Sequence, residues 1–328
     1  MNSIVWTFVS TTLFACSIVA ASDEPLRGDL LIIQGSPGEE EYGKLFSTWS
    51  QRWQSAAERG RFRIVVSSPD LEEKQKVAVS KILETFEDET TLPLWVVMIG
   101  HGTFNGREAK FNLAGEDLSA KELDRMLANV TRTTVIINCS SSSAPFLDAL
   151  SQENRIILTS TRSGEQVNFS RFGEYISQAI GETASDLDKD KQTSLLEAFL
   201  SASRKTLEFY ESDGRIPTEN ALLDDNGDGK GTRATAFQGV RAIAKPEEDG
   251  ILLDGFRAHQ LHLIPNDAEQ SLSPEQIAQR NELERKIELL RLEKNSLDEA
   301  DYYRQLETLF LQLAEILLLD DQVNSDES

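Results

Sequence analysis

One imidazole and one thiol carry most of the chemistry this sequence can offer. His101, followed by Gly102, closes an apolar run over Leu94–Ile99 (LWVVMIGHG). Cys139, preceded by Asn138, closes a second run over Thr133–Ile137 (TTVIINCSSSS). A cysteine attacks as its thiolate, and a neighbouring imidazole lowers the thiol from its free pKa of about 8.5. A carbonyl under attack also needs N–H donors aimed at the developing oxyanion. Gly102, with no side chain, is expected to supply one and Cys139 the other. Zinc does not fit, because two distant cysteines, Cys16 and Cys139, and three scattered histidines lack ligand spacing. His259 and His262, in HQLHLI, alternate with apolar residues and read as surface or sheet-edge positions.

A second chemistry lies in acidic residues. Asp186, Asp188, Asp190, Ser194 and Glu197 stand at positions 1, 3, 5, 9 and 12 of a calcium loop, with the Gln192 carbonyl at position 7. Position 6 should be Gly and is Lys191, for which a left-handed backbone costs about 1 kcal/mol or more. Ser194 and Glu197 equally fit a helix capping box, S-x-x-E. A second loop offers Asp224, Asn226 and Asp228, with Lys230 at the carbonyl position, but its twelfth residue is Thr235. Calcium is the one cofactor these patterns suggest; no organic cofactor is indicated.

The elements that position His101 and Cys139 follow from the same stretch. Both apolar runs are short and rich in β-branched residues, as buried parallel strands are. Between them DLSAKELDRMLANV puts Leu118, Leu123, Met126 and Leu127 on one side of a helix. A strand–helix–strand unit brings both strand ends to one edge of the sheet, where open α/β sheets bind ligands. Further strands are expected at Asp29–Gln34, Phe62–Val66 and Arg155–Thr159. Helices are expected at 39–59, 71–86, 146–152, 169–180 and 193–210. The stripe of Phe46, Trp49 and Trp53 reads as core. This alternation predicts a three-layer α/β/α sandwich with a mostly parallel sheet over 28–245.

The flanks read differently. Residues 1–21 are mostly apolar and end Val19-Ala20-Ala21, a signal peptide cleaved near Ala21. That predicts a secreted or periplasmic protein with no stable membrane insertion. Cys16 leaves with the signal, and Cys139 is then a lone thiol, reactive or buried and inert. Residues 246–270 form a connector, and the hinge-like KPEEDG over 245–250 marks where it begins. Ser273-Pro274-Glu275-Gln276 opens a helix with a capping box. In a second helix Tyr303, Leu306, Phe310, Leu313 and Leu317 alternate four and three apart, so 271–320 reads as a coiled-coil-like α-helical hairpin. Residues 321–328 are a polar tail. Of the 328 residues, 39% are hydrophobic, enough for a core. The formal charge of −22 argues against a nucleic-acid partner, since binding would add repulsion.

A strand ending His-Gly, followed by a strand ending in Cys, resembles the caspase–legumain–gingipain clan of cysteine peptidases. The similarity spans roughly Asp29 to Ala244. The segments IGHGTFNGREAKFNL, NCSSSSAPFL and ALLDDNGDG are similar to its bacterial legumain-like branch. The resemblance implies a caspase-like fold, His101 as general base, Cys139 as nucleophile and the Gly102 N–H in the oxyanion hole. The signature Gln-Ala-Cys-x-Gly is absent, and a serine run follows the cysteine. Glu165, after the fifth strand, is expected to face a basic P1 side chain. The expected function is a secreted cysteine peptidase acting on peptides or proteins through a thioester. The alternative is a non-catalytic caspase-like module whose helical hairpin docks a protein partner.

Overall fold

A computed structural model describes residues 25–70, 74–87, 90–243 and 252–323, with side chains to 317. The expected signal peptide, the expected hinge at KPEEDG and most of the polar tail lie outside the described residues. In chain order come β1 (Gly28–Gln34), α1 (Glu40–Arg59), β2 (Phe62–Ser67), α2 (Gln75–Glu84) and β3 (Leu94–Ile99). Three short strands follow, β4 (Gly102–Phe104), β5 (Ala109–Phe111) and β6 (Leu118–Ser119), then α3 (Ala120–Met126) and β7 (Thr134–Asn138). Next are α4 (Ala144–Leu150), β8 (Arg155–Thr159), α5 (Phe172–Ala179), α6 (Leu195–Ser212) and β9 (Leu222–Asp224).

The central sheet has six strands in the order β2-β1-β3-β7-β8-β9, parallel except for β9, which runs antiparallel to β8. Alternation along each strand divides the core in two. Trp95, Val97, Ile99, Val135 and Ile137 face a layer holding Phe46, Trp49 and Trp53 of α1 with Phe172 and Phe199 of α5 and α6. Val96, Met98 and Ile136 face Val79, Leu123 and Leu147 of α2, α3 and α4. The expected three-layer α/β/α sandwich is the observed architecture. The interval after His101 holds more than a helix: β4, β5 and β6 make a small antiparallel sheet before α3. Leu222–Asp224, expected as part of a loop, forms the antiparallel edge strand.

Beyond β9 lie α7 (Phe256–His259), α8 (Asp267–Ser271), α9 (Pro274–Leu292) and α10 (Glu299–Val323). The Ser273 capping box is present, with Pro274 in the first turn. The helices pair as a hairpin, but the seam is rotated by one residue from the expected one. Tyr302 and Ile316 are buried and Leu306, Leu309 and Leu313 half-buried, whereas Tyr303, Phe310 and Leu317 are exposed. Both stripes have heptad spacing, so the sequence pattern alone did not separate them. No helix among the described residues is long and apolar enough to cross a membrane.

Candidate active site

His101 sits beyond β3 in an aromatic enclosure. Its ring meets Tyr42 edge-on at 4.7 Å, with Phe46 at 5.2 Å and Phe169 at 5.8 Å between ring centres. Nε2 lies 3.1 Å from the Pro37 carbonyl oxygen. A carbonyl only accepts, so Nε2 carries a proton, and in the neutral ring Nδ1 keeps the lone pair. Pro37 belongs to the turn between β1 and α1. That turn fixes the imidazole's tautomer.

Cys139 lies in a different environment. It is 1% exposed and belongs to the same core cluster as Trp49 and Phe172. A Cβ placed on Gly173 would come 2.8 Å from the Cys139 Cβ and 2.6 Å from the Trp49 ring, so α5 is packed directly over the cysteine. Burial drives the thiol far above its ordinary range, and the charge of Glu219 raises it further. Such a group stays a neutral thiol at physiological pH and is a poor nucleophile. No hydrogen bond joins Sγ to the His101 ring among the described residues. The thiolate that the expected Cys139–His101 dyad requires is disfavoured in this setting.

Met98 pairs with Asn138, and the Cys139 N–H donates to the Met98 carbonyl at 2.9 Å. Cys139 thus falls level with Ile99. It continues the inward-facing series of Val135 and Ile137. What reaches the His101–Gly102 corner from the neighbouring strand is the serine run. A Cβ on Gly102 would lie 2.1 Å from the Ser141 carbonyl oxygen and 2.8 Å from Ser140 Oγ. The Gly102 N–H donates to Ser141 Oγ at 3.3 Å, and that hydroxyl donates to the Gly102 carbonyl at 3.0 Å. The N–H expected in an oxyanion hole is thus spent on Ser141. Gly102 is needed there for close approach, and its φ is not positive.

The rest of the edge is tied internally. Ser140 donates to Asn138 Oδ1 from both N and Oγ, at 3.0 and 2.7 Å. Ser143 Oγ accepts from the Ser160 and Thr161 N–H groups. Glu219 had no signal in the sequence, yet its buried carboxylate accepts from Ser170 Oγ, the Arg171 and Phe172 N–H groups and Tyr210 OH. It pins the start of α5, and with it Phe169 against His101. Glu165 is exposed.

The two acidic loops share one hydrogen-bond pattern. Asp186 accepts from the Lys189 and Lys191 N–H groups, Asp188 from Asp190 and Asp190 from Gln192. Asp224 accepts from Gly227 and Gly229, Asn226 from Asp228 and Asp228 from Lys230. Carboxylate oxygens of Asp186, Asp188 and Asp190 lie within 4.8 Å of one another. Lys191 takes the left-handed backbone that the sixth position requires, with φ 75°. Glu197 is engaged elsewhere. Its oxygens accept from the Leu187 N–H, the Ser194 N–H and Ser194 Oγ, and Ser194 Oγ accepts from the Glu197 N–H, completing the capping box.

No family model matches the sequence, and no curated protein matches it. Solved structures do. The Drosophila initiator caspase Dronc is 14% identical with a TM-score of 0.41, over 63% of this chain and 83% of that one. Caspase-1 from Spodoptera frugiperda is 11% identical with a TM-score of 0.40, over 61% and 86% respectively. These are likenesses of overall arrangement, and no residue role follows from them.

Proposed function

We propose that this chain is a caspase-like α/β module that acts by binding, with no working thiol at its sheet edge. The observation that carries this is the burial of Cys139 beneath α5, in a setting that keeps its sulfur protonated. The serine run supports it, because it fills the corner where an oxyanion would sit. The helical hairpin, with Tyr303, Phe310 and Leu317 exposed, is the surface this reading assigns to a protein partner. A P1-scanning peptide library tests it against wild type, Cys139→Ala and His101→Ala. No hydrolysis above the variants is expected. Cleavage that both substitutions abolish would overturn it.

A second reading, a secreted cysteine peptidase, is favoured by His101. The Pro37 carbonyl holds the tautomer that leaves Nδ1 free to accept a proton, as a general base must. In that reading substrate displaces α5 from Cys139. Sγ then bonds to the peptide carbonyl carbon, His101 takes the thiol proton and gives it to the leaving amine, and water hydrolyses the thioester. Substrate-dependent labelling of Cys139 is the result that would favour it.

Either reading accommodates calcium as a structural ion. The Asp186, Asp188 and Asp190 oxygens and the Gln192 carbonyl fit it; Glu197, held by its capping box, does not, so weak binding is expected. Calcium at about ten times its Kd contributes about 1.4 kcal/mol. That raises Tm by about 2–4 °C for a domain of this size. A thermal scan with calcium and with chelator measures it; identical Tm values would remove the ion.

A further inference from the structure

Helix α10 carries a second apolar stripe beside the one it buries against α9. Tyr303, Phe310 and Leu317 recur every seven residues and are 50%, 44% and 48% exposed. At 1.5 Å per residue the stripe is about 21 Å long, four helical turns. Side chains at that repeat mesh with a partner of the same repeat, and the element that supplies it is another helix. Phe310 also joins Ile287 and Leu292 of α9 and Phe256 of α7 in the wall of a cavity of about 470 Å³. The stripe therefore borders a recess that an anchoring side chain of a docked helix can enter.

Charge says which helix. In α10, Glu299, Asp301, Glu307, Glu315, Asp320 and Asp321 stand against one base, Arg304. Arg304 is taken by Asp301 at 2.7 Å. Glu307 lies four residues after Tyr303 and three before Phe310, which puts it on the exposed stripe itself. No cation pairs with it among the described residues. A second copy of α10 would set this carboxylate against apolar side chains or against its own twin. It would also bring acidic ends against acidic ends in either orientation, so self-pairing is disfavoured.

We propose that α10 docks a basic amphipathic helix of a partner protein. Apolar side chains seven apart would cover Tyr303, Phe310 and Leu317, and a Lys or Arg would face Glu307. This rests on the reading of the chain as a binding module and names the chemistry of its partner.

The test is fluorescence anisotropy of the full chain with labelled peptides: an amphipathic helix of Leu and Lys, the same helix with Glu for Lys, and a shuffled Leu/Lys sequence with no apolar face. The Leu/Lys helix is expected to bind more tightly than the other two. Glu307→Lys should weaken it about fivefold and Phe310→Ser about tenfold. Glu40→Lys makes the same charge change at an exposed site on α1 and should leave the affinity unchanged. Equal binding of the shuffled peptide, tighter binding of the acidic one, or an equal loss in Glu40→Lys and Glu307→Lys would overturn the proposal. So would a dimer in light scattering that Phe310→Ser dissolves, which would make the partner a second copy. If Phe310→Ser does not fold, Leu317→Ser takes its place. Each of these failures leaves the binding-module reading standing, because that reading falls only to Cys139-dependent cleavage of the peptide library.

Discussion

Two strand ends lie side by side on this sheet and have opposite fates. Beyond β3 one residue, Gly100, precedes His101, whose ring packs on Tyr42, Phe46 and Phe169 and is oriented by the Pro37 carbonyl. Beyond β7 the first residue is Cys139, still inside the inward-facing series and roofed by α5. The pair teaches that neighbouring strand ends can differ sharply in what covers them: one side chain is half-buried at the rim and the other is sealed in the core.

The largest expected effect is on thiol chemistry. Cys139 in the native chain should react with iodoacetamide roughly a thousandfold more slowly than the same cysteine in denaturant, since it is covered and protonated. Mass spectrometry of the modified peptide reads the rate. Native labelling at the denatured rate would erase the contrast between the two ends.

Next in size is the contact that joins them. Gly102→Ala drives a methyl group into the Ser141 carbonyl, and about 1–3 kcal/mol of stability should be lost to overpacking. Urea unfolding measures it. A neutral substitution would mean that the serine run does not occupy the His101 corner.

The smallest effect extends the comparison to the opposite rim, where β9 ends. There Asp225 is pushed up to about 6 and Asp254 to about 7, in each case mainly by burial; the charge of Asp225 adds to the shift at Asp254. Both hold their protons in the folded chain to higher pH than the ordinary 3.8 of an aspartate. The folded state therefore binds more protons than the unfolded, and stability falls with rising pH. Their contribution is whole below about pH 4 and is lost through pH 6 to 7. Urea unfolding between pH 5 and 8 should show this slope, and Asp254→Asn should flatten it. Glu269 behaves oppositely. Burial alone would raise it, but the neighbouring His262 ring, 3.2 Å away, and the Arg280 guanidinium hold it at about 2. Its contribution is present above the ordinary 4.5 and is lost as pH falls toward 2.

The framework was readable from the residues because each central strand is an unbroken apolar run bounded by turn chemistry. DLLIIQ, LWVVMI and RIILT are buried along nearly their whole length, as the pattern requires. Short pieces were not. AKF and LLD are too brief to show a period, and what fixes them is pairing, to GTF in one case and to β8 in the other. At the candidate site, His101 at a strand end was visible. Three other features are tertiary facts with no local trace: the Pro37 carbonyl, the Glu219 clamp and the depth of Cys139. Glu197 illustrates the remaining ambiguity. One residue satisfied two motifs on paper, and the backbone donors around it favoured the cap over the ion.

The amide of Gln192 has a mechanical consequence. Its oxygen accepts from the Asn266 N–H, while its nitrogen donates to Asp190 and Glu269; Asn266 in turn donates to the Asp190 carbonyl. The acidic loop and the root of the C-terminal helices are thus riveted through two side chains, Gln192 and Asn266. Neither can be pried loose without unfastening the other, so a protease that opens the first should find the second already yielding.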